Sequence, residues 1–277
     1  MRKNIISFTV IALPLARRNP GAAPRLTLLW PALLAAFGAT ACAVRPVTQG
    51  HDWPSVPPAS LETPSQPVIV VGFVGGLVKH DDPIRSEVKL AEHLRTEYPA
   101  GVYVQTFENR RREEAMHAIL AQLGAAGSGM LSENQKRHAR IILYGHSWGG
   151  SAMVALAREL EKRGIPILLT VQVDSVKRFG VDDGVIPRNV ARAANFYQPD
   201  GMVHGREVIR AADPTKTQIL GNFRLNYKEH PIHCPEYPWY DRIFAKTHTE
   251  MDCDPATWSR IEALIREQIS SARAKQD

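Results

Sequence analysis

The chain has 277 residues, 44% of them hydrophobic, a balance that excludes a disordered or fibrous protein and suits one large globular domain. Its formal charge of +6 is unevenly placed: residues 1–41 carry Arg2, Lys3, Arg17, Arg18 and Arg25 with no acid, and the remainder holds 29 basic against 28 acidic residues. With the basicity confined to one end and no basic patch interleaved with aromatics, no nucleic-acid partner is expected.

Residues 1–41 read as an export leader. The uncharged run LTLLWPALLAAFGATA, from Leu26 to Ala41, is too short for a membrane span and suits the apolar core of a signal segment. It ends at Ala39-Thr40-Ala41-Cys42, which resembles a bacterial lipobox. That likeness implies lipidation at Cys42, an anchored N-terminus at a membrane, and a periplasmic or cell-envelope location. Residues 42–66, rich in Pro and Ser, read as a tether. The ordered domain is expected over 67–277.

Within that domain, Val68–Val71 is a short β-branched run closed by Gly72 and reads as a buried strand. Asp82-Pro83 gives a helix N-cap and N1 proline, followed by Ile84, Val88, Ala91 and Leu94 at helical spacing. A second strand is expected over Gly101–Phe107, a helix over Glu113–Leu123, and a loop over Gly124–Asn134. A third strand, Arg140–Tyr144, leads to a helix over Trp148–Arg163 with Met153, Leu156 and Leu160 on one face. Further strands are read at Ile165–Val173 and Ala191–Phe196, an irregular stretch at 199–247, and a last helix opening at Asp254-Pro255. Strands alternating with helices, and apolar along their whole length, predict a parallel sheet covered on both faces.

Gly145-His146-Ser147-Trp148-Gly149 fits G-x-S-x-G between a strand and a helix, the setting that motif requires. The turn strains the central residue, so its neighbours must be small, and the helix N-terminus presents N–H groups to a developing oxyanion. On GHSWGG, on the glycine-rich turn after the first strand, and on an acid and a His following in chain order, the chain resembles the α/β-hydrolase superfamily in its lipase, esterase and thioesterase-like branch. The resemblance covers roughly residues 67–273. It implies a three-layer α/β-hydrolase sandwich with a mostly parallel sheet, and hydrolysis of an ester or thioester through an acyl-enzyme on a Ser–His–acid triad.

Ser147 is then the nucleophile, which needs a neutral imidazole to take its proton and a carboxylate to orient that imidazole. The superfamily's His sits on a loop before the final helix, which points to His248, with His230 and His233 as alternatives. Asp174 ends the strand after the nucleophile strand and is the favoured acid, with Asp200 the alternative; Asp182 and Asp183 read as solvated or as part of a turn. Gly72-Phe73-Val74-Gly75-Gly76 resembles an oxyanion loop, which assigns the backbone N–H of Phe73 as one donor and that of Trp148 as the other. No cofactor or metal is implied: His230, His233 and Cys234 lack a second ligand pair at zinc spacing. The expected partner is a small-molecule or lipid-like acyl substrate. Cys234 and Cys253, the pair left after Cys42, are expected to form a disulfide in an exported protein. Two other readings stay open: a non-catalytic envelope lipoprotein keeping the fold, and an amidase or peptidase on the same triad.

Overall fold

The computed structural model describes residues 66–125 and 130–274. The leader, Cys42 and the tether lie outside them. Six strands form one parallel sheet in the order β2-β1-β3-β4-β6-β8. They are β1 (Val68–Val74), β2 (Val102–Glu108), β3 (Ile141–His146), β4 (Ile167–Val173), β6 (Val190–Tyr197) and β8 (Gln218–Arg224). A separate small pair joins β5 (Val185–Ile186) to β7 (Arg210–Ala211).

Alternation along the strands divides the core in two. Ile69, Val71 and Phe73 face one side with Ile141 and Leu143, where α2 (Arg112–Gln122) and α4 (Trp148–Lys162) cover them. Val68 and Val70 face the other with Ile142 and Tyr144, beneath α1 (Ser86–Glu97) and α7 (Pro255–Arg273). The three-layer α/β-hydrolase sandwich expected from the sequence is the architecture observed.

Several expectations shift in detail. The first strand runs on to Val74, past the glycine that marked its expected end. Gly72 lies within the strand because the Tyr144 ring occupies the space a Cβ would need. Asp82 closes a turn, accepting from the Ile84 N–H, and the first helix opens only at Ser86. The segment 124–134 is not wholly a loop: Ser132 and Gln135 form a reciprocal capping box that starts α3 (Glu133–Arg137). Within 199–247 the sheet gains its edge strand β8, and a short helix α5 (Trp239–Phe244) follows. His248 lies not on a loop but on α6 (Lys246–Cys253). The last helix begins where expected, with Asp254 accepting from the Ala256 N–H and Pro255 at N1.

Candidate active site

The carboxyl ends of β3 and β4 carry the first two side chains. Ser147 follows β3 directly and holds φ 55° and ψ −128° at the N-cap of α4. Asp174 follows β4 with φ 42°. These two are the only non-glycine residues at positive φ among those described, each in a conformation that costs energy for a side chain with a Cβ. Ladder bonds hold both: the Ser147 N–H donates to Val173 O at 2.9 Å and the Asp174 N–H to Phe196 O at 2.8 Å. Glycines make the tight turn feasible. A Cβ on Gly145 would stand 2.6 Å from the Gly149 backbone, and one on Gly149 would strike the Phe73 carbonyl.

Asp174 is fully buried and saturated with donors. Its Oδ1 accepts from the Gly205 N–H at 2.6 Å, and its Oδ2 from Gln198 Nε2 at 2.8 Å. His248 Nδ1 lies 2.6 Å from the same Oδ2. Burial pushes the Asp174 pKa up, but the His248 hydrogen bond and charge, with the Gln198 bond, outweigh it and hold the carboxyl below its ordinary value. The Asp200 carboxylate is engaged elsewhere: its Oδ1 pairs with Lys228 Nζ at 2.7 Å. His230 and His233 are exposed and line no part of the cavity around Ser147. Asp183, expected to be solvated, is fully buried, pairing with Arg206 Nε at 2.8 Å and accepting from Ser175 Oγ at 2.7 Å.

Ser147 and His248 both line one open cavity of about 790 Å³. Among the described residues no hydrogen bond joins them, an arrangement common in unliganded sites, where such bonds tighten only with substrate. Leu77, Val78, Trp148, Val176 and Val203 supply an apolar lining, and of the neighbouring aromatics Tyr237, Trp239, Tyr240 and Phe244 only Tyr240 walls it.

The expected oxyanion donor Phe73 is corrected by the geometry. Phe73 lies inside β1, paired with β2 and β3, and lines no part of the cavity. Because the strand extends to Val74, the turn beside Ser147 is Gly75-Gly76 instead: a Cβ on Gly75 would stand 2.8 Å from Ser147 Cβ. Trp148 keeps its place at the first turn of α4, where an N–H has no intrahelical acceptor, and it lines the cavity.

Cys234 and Cys253 are joined in a disulfide with Cα atoms 6.1 Å apart, tying the 234 segment to the end of α6. The HPIHC segment therefore commits its cysteine to that bond.

Three buried groups at the cavity floor had no role assigned from the sequence: Glu87, His146, which the motif contains, and Asp252. Their ligand-type atoms lie within 4.8 Å of one another, close enough to hold a cation. The donor set does not suit one, because a guanidinium is already there: Asp252 Oδ2 accepts from Arg85 Nη1 at 3.1 Å, and Glu87 Oε1 accepts from the Gly75 N–H at 3.3 Å. Burial and the neighbouring Asp252 hold the Glu87 pKa well above its ordinary value, which favours the neutral carboxylic acid. Burial pushes His146 down to about 4, against the pull of Asp252, so its ring is neutral at pH 7.

No protein-family profile and no curated protein matches this sequence. Among solved structures, the chain is similar to the RedJ thioesterase of the prodiginine pathway in Streptomyces coelicolor, at 13% identity and a TM-score of 0.34, covering 67% of this chain and 91% of that one. It is also similar to a dienelactone hydrolase from Anabaena variabilis, at 12% identity and a TM-score of 0.36, covering 75% and 88%. A dienelactone hydrolase-like promiscuous phosphotriesterase from metagenomic libraries follows at 16% and 0.31, covering 75% and 89%. Likenesses this distant bear on neither activity nor substrate, and the fold rests on the topology above.

Proposed function

We infer that this chain is a serine hydrolase that cleaves an ester or thioester through an acyl-enzyme. The observation that carries the reading is the buried Asp174–His248 pair, 2.6 Å from Oδ2 to Nδ1, whose histidine lines one cavity with a serine in a strained strand-to-helix turn. His248, with Nδ1 held by Asp174, turns Nε2 to the cavity as the base that takes the Ser147 proton. The Ser147 oxygen attacks the acyl carbon, and the oxyanion forms against the Trp148 N–H and the Gly76 N–H, that of Gly75 being engaged by Glu87. His248 then returns the proton to the leaving alcohol or thiol, and a water repeats the sequence to free the acid. The apolar lining of Leu77, Val78, Val176 and Val203 favours a small-molecule or lipid-like acyl group.

Export, with Cys42 as the lipid-bearing residue, accompanies this proposal, and the Cys234–Cys253 disulfide supports an oxidising destination. Among the described residues no helix is long and apolar enough to cross a membrane. The mass of the mature N-terminus tests that part.

A fluorophosphonate probe tests the chemistry. It is expected to label the folded chain at Ser147 and to leave Ser147→Ala unlabelled, while p-nitrophenyl and acyl-thioester series report the preferred chain length. A folded chain that takes no label and turns over no member of either series would overturn the reading.

A further inference from the structure

The buried cluster at the cavity floor has no part in the mechanism above, yet each member touches a different piece of it. His146 precedes the nucleophile, and its ring stacks on that of His248 with centroids 4.4 Å apart and planes 28° from parallel. Behind it, His146 Nδ1 lies 3.8 Å from Glu87 Oε1 and 3.9 Å from Asp252 Oδ2. Glu87 in turn accepts from the amide of Gly75, in the turn beside Ser147. Asp252 sits four residues after His248 on α6, hence on the same helix face, and is fastened to the start of α1 by the Ser86 N–H at 3.4 Å and Arg85 at 3.1 Å. Arg85 also reaches Asp241 at 3.1 Å.

Burying this many ionisable groups is expensive, and replacing such clusters with apolar side chains often stabilises a protein. Glu87 Oε2 and His146 Nε2 are buried with no hydrogen-bond partner, so the cluster is not even saturated. Stability does not account for it; geometry does. The oxyanion turn, the elbow and the helix bearing His248 come from separate parts of the chain, and they meet at these four side chains.

We propose that His146 is a positioning residue for His248: its ring, wedged between the His248 imidazole and the Glu87–Asp252 pair, fixes the plane in which His248 meets Ser147. The proposal rests on the triad reading above. His146 acts as a neutral flat surface and exchanges no proton with substrate. A ring without nitrogen therefore replaces it in part, whereas a side chain without a ring does not. Glutamine in place of Glu87 keeps an oxygen that can accept from the Gly75 N–H, so the amide isostere preserves that bond.

Steady-state kinetics on the full chain with a p-nitrophenyl ester, alongside fluorophosphonate labelling, test this. His146→Ala is expected to lower kcat by about 10- to 100-fold, the scale set by a displacement of roughly 1 Å, with KM within about twofold. His146→Phe is expected to recover kcat to within about fivefold of wild type, and Glu87→Gln to stay within about threefold, as a role in placement alone requires. If His146→Ala does not fold, His146→Gln takes its place, with the same loss expected. A kcat within about threefold of wild type for the ringless variant would overturn the proposal. So would a folded His146→Phe no better than His146→Ala. Ser147→Ala separates the two levels: if it still takes the label, the triad reading has failed, and if it does not, an unaltered His146→Ala counts against the positioning role alone.

Discussion

Ser147 and Asp174 stand on adjacent strands, while His248 rides on a helix of eight residues outside the sheet, and the two regions are positioned by different means. The strand ends inherit their accuracy from the ladder: each residue donates its N–H to the neighbouring strand, and each accepts a strained φ that the surrounding sheet enforces. His248 has no ladder. It is held by the Asp174 bond, by its stack on His146, by Asp252 one turn along, and by the disulfide at Cys253. A sheet can fix two such side chains at once, but a third arriving from elsewhere in the chain needs cross-links of its own.

The largest expected effect tests the strand side. Ser147→Ala is expected to remove activity by about 10⁵- to 10⁶-fold at a nearly unchanged melting temperature, since the loss is of the nucleophile and not of packing. Activity within tenfold of wild type would break the comparison at its root.

Next is Asp174→Asn, expected to cost about 10⁴-fold in kcat through the wrong His248 tautomer. A companion measurement uses pH. The Asp174 pKa lies below its ordinary value of 3.8 in the folded chain, because the His248 bond and charge outweigh burial. A depressed carboxylate pKa stabilises the fold above the unfolded value, and that contribution is lost as pH falls through the folded one. The difference in urea midpoint between wild type and Asp174→Asn should therefore be constant near neutrality and shrink below about pH 3.8. A difference that grows on acidification would contradict the assignment.

The helix side answers to Cys234→Ser with Cys253→Ser. Opening a loop of 19 residues is expected to cost about 3 kcal/mol in the chain-entropy model, read as a lower melting temperature. A several-fold fall in kcat should accompany it if the disulfide steadies α6. Loss of stability with kcat unchanged would leave the bond a mere staple. At the small end, His230→Ala and His233→Ala are expected to leave kcat within about twofold, because exposed side chains away from the cavity rarely matter.

The strand side is also the side that was legible in the sequence. Val68–Val71 and Ile141–Leu143 announce themselves as uninterrupted apolar runs and Ile167–Val173 as a largely apolar one, and G-x-S-x-G marks where one of them turns. Gly72 misled, because a strand-ending glycine and one that makes room for the Tyr144 ring look the same in one dimension. The Phe73 assignment failed with it. Edge strand β8 was hidden because it is half-exposed and interrupted by Gly221, so it lacks the continuous apolar signal of the inner strands. Glu87 and Asp252 carry no local sign in the sequence that they are buried. Only the approach of α1 to α6, more than 160 positions apart, buries them. Gln198 and Gly205, which hold Asp174, carry no local signature at all.

The disulfide has one more consequence, for survival when a peptidase meets the protein. Between its two cysteines lies α5, with no buried residue and with Trp239, Arg242 and Phe244 displayed to solvent, the sort of segment a protease cuts first. A cut there falls inside a covalent ring. The C-terminal fragment, which carries His248, stays chained to the rest through Cys234, so the nicked protein runs as one band without reductant and as two with it. The same nick in a chain lacking the bond would leave the fragment bearing His248 attached by packing alone.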